Sequence, residues 1–107
     1  MDTLYLLAPR SKNNSSWHQK DFYTIMANRV GPDYGISSKQ ITRIRPGMPA
    51  VLFDRDRELQ ASGTVVGCTP TSKAGNGVQR YNVTIRNLSA QPYNDPPTIN
   101  RFGVGIY

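Results

Sequence analysis

The stretch Arg80–Arg86 reads Arg-Tyr-Asn-Val-Thr-Ile-Arg and alternates strictly between polar and apolar side chains. Tyr81, Val83 and Ile85 fall on one side of an extended chain, and Arg80, Asn82, Thr84 and Arg86 fall on the other. Period-two alternation is the mark of a strand with one face buried and one solvated. A single strand is not stable in water, so its flanks must supply partners. Just upstream, Ser72–Gly77 (SKAGNG) closes on Asn76-Gly77, a tight hairpin-turn signal. Before that turn, Leu59–Thr69 reads as the preceding strand, with Gly63 as a candidate bulge. Asp54–Glu58 (DRDRE) is the charged turn of a further hairpin, and Ala50–Phe53 is the strand that enters it.

Working outward to the ends adds two strands and two helices. Thr3–Ala8 is apolar and reads as a buried first strand, followed by the polar stretch Arg10–Ser16 (RSKNNSS). Ser16 and Gln19 have capping-box spacing, and Phe22, Ile25 and Met26 form an apolar stripe, which predicts a helix over Trp17–Arg29. Val30–Gly35 (VGPDYG) holds two glycines and a proline and reads as a loop. Ser37 and Gln40 form a second capping box, and Ile41 and Ile44 lie three apart before Pro46-Gly47, so a short second helix is expected. Beyond the central strands, Gln91–Pro97 (QPYNDPP) is an irregular loop, and Thr98–Tyr107 reads as a closing strand with Phe102, Val104 and Ile106 on one side. The expected fold is α+β and β-rich. It is a small, five-stranded, partly closed barrel with one helix after the first strand and a short second helix, since closure removes exposed strand edges.

The 107 residues suit a single domain spanning 1–107, large enough to bury a core without staples. A lone cysteine, Cys68, allows no internal disulfide, fits a reducing, cytoplasmic setting and reads as a small core residue. With one histidine, His18, a four-ligand zinc site is hard to assemble, and no cofactor motif is present. Nothing approaches the length of a membrane span. Thirteen Lys and Arg against seven Asp and Glu leave a net charge of +6, a balance that favours polyanions: nucleic acid, an anionic membrane or an acidic protein. No two basic residues are adjacent, so any basic surface must be built by folding.

The element order, together with Tyr5-Leu6-Leu7, Ser11–Ser16, Trp17, Tyr34-Gly35-Ile36, Lys39–Ile44, Pro46-Gly47 and Gly63-Thr64-Val65-Val66, resembles the EVE domain of the PUA-like superfamily. Met48 stands where that family usually carries an acidic residue, and Tyr34 where it usually carries tryptophan. The resemblance covers about the first two thirds of the chain. It implies a PUA-like barrel and a binding task, not an enzymatic one: a modified base held in an aromatic-lined pocket. Some EVE-like domains stand at the front of modification-dependent restriction enzymes, so the resemblance is compatible with further domains of a longer chain and equally with a free-standing small protein.

A base taken from its stack must regain stacking on aromatic faces and have its edge read by polar groups. Trp17 and Tyr34 are the stacking candidates, Phe53 a weaker one because it alternates with Val51 on a strand, and Ser11, Asn13 and Asn14 are candidates for edge hydrogen bonds. Core packing competes for the aromatics and a solvated loop for the polar residues. Arg10, Lys12, Lys39, Arg43 and Arg45 are the candidate phosphate contacts, a solvated face being the alternative. His18 has no partner set for catalysis. Asp54, Asp56 and Glu58 alternate and so share a strand face where Mg²⁺ would fit, although Arg55 and Arg57 between them favour a solvated turn. Lys73–Gly77 lacks the spacing of a phosphate-binding loop.

Three functions follow. The first is a nucleic-acid reader, of DNA sooner than RNA, with an aromatic pocket. The second is a small phage or mobile-element inhibitor that sets its basic surface against an acidic protein. The third is a weak Mg²⁺-dependent nuclease.

Overall fold

The computed structural model describes residues 2–8, 21–73, 78–100 and 102–107. Among these, β1 (Leu4–Leu7), β2 (Val30–Gly35), β3 (Pro49–Asp54), β4 (Leu59–Lys73), β5 (Gln79–Gln91) and β6 (Val104–Ile106) form one sheet in the order β2-β5-β4-β3-β1-β6. Two helices, α1 (Phe22–Asn28) and α2 (Ser38–Ile41), complete the described elements. The result is a curled half-barrel of six strands, not five. No described helix is long and apolar enough to cross a membrane.

The expected meander β3–β4–β5 forms the body of the sheet, all antiparallel. Val83 and Ile85 point into the core, as the alternation of Arg80–Arg86 requires. Gly63 sits at a register shift between Ser62 and Thr64. A Cβ there would lie 2.7 Å from the Arg86 carbonyl oxygen and 2.8 Å from Ile85 Cγ2, so only glycine lets β5 approach.

The additional strand is β2, expected as a loop. Gly31, Pro32 and Gly35 punctuate the segment, yet it pairs with β5 on both sides of an irregularity between Gly31 and Tyr34, where Asp33 takes φ 53°. The bulge absorbs the residues that read as loop, and long-range pairing decides the rest. The first helix also differs. Asp21, with extended φ and ψ, is the N-cap and accepts from the Tyr23 N–H, so α1 starts at Phe22 and not at Trp17. The Ser16 capping box lies outside the described residues. The Ser37–Gln40 box forms as expected, with reciprocal side-chain and backbone bonds.

Leu4, Leu6, Ala50, Leu52, Ala61, Val65, Val83, Ile85, Val104 and Ile106 line the inner face of the sheet, and Phe22 and Ile25 of α1 belong to the same core. Curling brings the two sheet edges together. Tyr34 on edge strand β2 donates its hydroxyl to the Leu7 carbonyl of β1 at 2.8 Å. On the outer face residues 92–100 fold back on the sheet, held at Gln60 of β4 and close to Gly105 of β6. Gln60 of β4 donates to the Asn94 carbonyl and accepts from the Asn94 N–H, and Ile99 lies close against Gly105.

Arg57 ties the β3–β4 turn to α1. Its Nε donates to Asp54 Oδ2 at 2.7 Å and its Nη2 to Asp21 Oδ1 at 2.6 Å. Asp54 is buried, so its charge is held by this pair and by the Arg57 backbone N–H.

Candidate nucleic-acid interface

The segment from α2 to β3 carries the candidate cations that lie among the described residues. The capping box fixes the start of α2, and Ile41 and Ile44 pack against the core. Lys39, Arg43 and Arg45 lie exposed. Gly47, at φ 93°, then turns the chain back, and its N–H donates to the Val65 carbonyl. Arg43 Nη2 pairs with Asp2 at 3.3 Å, both side chains half exposed, an interaction worth at most about 1 kcal/mol in water. A cavity of about 280 Å³ is lined by Asp2, Thr42, Arg43, Arg45 and Met48. A second, of about 350 Å³, opens on the other side of Arg43 and runs to the β6 edge.

The remaining sequence candidates divide cleanly. Arg10, Ser11, Lys12, Asn13, Asn14, Trp17 and His18 lie outside the described residues. Tyr34 is 1% exposed, and with its ring enclosed burial pushes the phenol well above its ordinary range. Phe53 is fully buried on the outer side of β3, with the Arg55 guanidinium 5.3 Å from its ring centroid. Neither ring therefore presents a stacking face. Both serve packing: Tyr34 bridges the curled sheet through its bond to Leu7, and Phe53 is enclosed with Arg55 over its ring.

The carboxylates of the β3–β4 turn do not converge on a cation site. Asp54 is committed to Arg57, Asp56 and Glu58 are exposed, and no group of three His, Cys, Asp or Glu side chains suited to a metal occurs among the described residues. Cys68 is half-buried against the core, and desolvation raises its thiol pKa. Ala74–Gly77 of the glycine-containing turn lies outside the described residues.

Sequence reasoning missed the second cavity. Gln40, Arg43, Thr98, Asn100, Ile106 and Tyr107 contribute to it from three separate segments. One signal was present: the alternation of Phe102, Val104 and Ile106 sets Tyr107 on the opposite side of the strand, where it is exposed.

No family model, curated protein or solved structure matches this chain.

Proposed function

We propose that this chain is a nucleic-acid-binding domain, of DNA sooner than RNA, with a PUA-like, EVE-like ancestry. The observation that carries the proposal is the exposure of Lys39, Arg43 and Arg45 within one short segment, beside two open cavities, on a chain of net charge +6. Asp2 is the carboxylate paired with this cluster, through an exchangeable surface contact with Arg43. Arginine and lysine in such a setting neutralise phosphates and release counterions, which makes affinity fall with salt. The task is binding, and no catalytic step is assigned.

The test is titration of the full chain with DNA duplexes differing only in base modification, at several salt concentrations. The proposal expects micromolar or tighter binding at low salt. Replacing Lys39, Arg43 and Arg45 by alanine together should lower the slope of log K against log salt by roughly two to three. Binding that ignores salt and the triple substitution would overturn it. Stronger capture of an acidic peptide than of DNA would reassign the surface to a protein partner.

A further inference from the structure

The larger cavity lies between α2 and the free edge of the sheet, and the backbone of that edge is specialised. Thr3 and Tyr107 exchange both of their N–H···O bonds, and the Leu7 N–H donates to the Gly103 carbonyl. Antiparallel alternation then makes Leu4–Ile106 and Leu6–Val104 the pairs without mutual hydrogen bonds. The N–H and C=O groups of Val104 and Ile106 consequently point away from β1, toward the open edge. Asn100 takes both groups of Val104: its Oδ1 accepts from the Val104 N–H at 3.1 Å, and its own N–H donates to the Val104 carbonyl at 3.3 Å. Among the described residues no group takes the N–H and C=O of Ile106, a residue that lines the cavity.

Three further features surround that backbone pair. Tyr107 is 56% exposed, and its hydroxyl is tied to the Thr98 carbonyl, which orients the ring in the cavity wall. Gln40 adds an amide, and Arg43 places a guanidinium at the cavity rim, on the side facing Arg45. The volume, about 350 Å³, lies at the small end of ligand pockets, which span about 300–1,000 Å³.

We infer that this cavity seats one unpaired nucleobase: Ile106 N–H and C=O bind its edge, the Tyr107 ring stacks on it, and Arg43 holds the adjoining phosphate. The inference rests on the nucleic-acid reading above and gives it a base site. Every base carries a donor beside an acceptor on its pairing edge, and that edge is free only when the base is unpaired. A ring face supplies the stacking lost on leaving a neighbour. Strand addition by a partner peptide fits less well, because Asn100 already occupies the groups of Val104, and among the described residues of β6 this leaves Ile106 alone with outward groups to offer. Asp2 competes with the phosphate for Arg43, so the free protein holds the guanidinium near its working position.

The test compares a short oligothymidylate with an abasic strand of equal length and charge, bound to the full chain at low salt. The base-bearing strand should bind more tightly and shift the Ile106 amide resonance, while the abasic strand should leave that resonance in place. Tyr107→Ala should weaken the base-bearing strand about tenfold, toward the abasic level, and leave abasic binding unchanged. Tyr107→Phe keeps the ring but loses the bond to Thr98 that orients it, so it should weaken the base-bearing strand less than Tyr107→Ala does and leave the abasic strand unchanged. Arg43→Ala should weaken both strands. Equal binding of the two strands, or a loss with Trp17→Ala but none with Tyr107→Ala, would overturn the base site and leave the nucleic-acid proposal standing. Absence of binding by either strand and by duplex would overturn both.

Discussion

Replacing Arg57 by alanine should be among the most damaging single changes that leave the sheet itself untouched. The guanidinium is 28% exposed, whereas the Asp54 side chain it meets is 2% exposed and that of Asp21 is 16% exposed. Removing one partner of a buried pair typically costs about 3–5 kcal/mol, because the remaining charge stays desolvated without compensation. Partial exposure of Arg57 lets water replace some of the lost contact, which brings the expectation to about 2–3 kcal/mol. For a domain of this size that corresponds to a fall in Tm of about 10–20 °C. The assay is urea unfolding of parent and variant, followed by circular dichroism, with thermal melts alongside. A midpoint shift at constant slope is expected. Combining Arg57→Met with Asp54→Leu removes both charges together and should be less destabilising than Arg57→Ala. A cost for Arg57→Ala below about 0.5 kcal/mol, the range of ordinary surface substitutions, would refute the clamp.

Three further outcomes are expected. The folded state holds the Tyr34 phenol protonated after the unfolded chain begins to ionise near pH 10, so stability should be level below that pH and fall by about 1.4 kcal/mol per unit above it; Tyr34→Phe should make this decline shallower in alkaline denaturation, at a cost of about 1–2 kcal/mol at neutral pH from the orphaned Leu7 carbonyl. Gly63→Ala meets the backbone of β5 at 2.7 Å and should cost about 2–3 kcal/mol in urea unfolding, more than Gly47→Ala, where alanine would be strained at φ 93° but no atom lies within 4 Å. Ser37→Ala removes the cap of α2 and should lower stability by about 1 kcal/mol in the same assay, with amide exchange quickening at Gln40.

The contrast between what was and was not legible in the chain follows the range of the interactions. Local signals held. The alternation of Tyr81, Val83 and Ile85, the glycine at the Ser62–Thr64 irregularity and the Ser37–Gln40 box all report on neighbours close in sequence, and each appears in the fold. Strand β2 was not legible, because its Gly-Pro-Asp content carries loop chemistry and its pairing is decided by β5, far along the chain. The start of α1 was misplaced because two residue types suited to capping, Ser16 and Asp21, stand close together, and the partner of Asp21 that favours the later one is Arg57. Tyr34 is a pocket candidate in the sequence because its segment reads as a loop, and Phe53 a weaker one because its alternation with Val51 already favours the core; exposure is a property of the finished sheet, which buries both rings. Conversely, the cavity beside β6 draws on α2, the 98–100 segment and the last strand, so no one stretch announces it.

The position of β1 governs how the chain can reach this structure. It lies between β3 and β6, parallel to the first and antiparallel to the second, so Leu4 must meet both Ala50 and Ile106. Neither partner is near in sequence, whereas β3, β4 and β5 can zip together through adjoining hairpins. Closing long loops is entropically costly before the contacts that reward it exist, so the first strand is expected to arrive late. Until it does, β3 carries an unpaired apolar edge of Ala50, Leu52 and Phe53, able to recruit the same strand from another molecule. The chain's earliest residues thus act as a self-supplied plug: dilute refolding favours insertion within one molecule, and crowded refolding favours exchange of that strand between two.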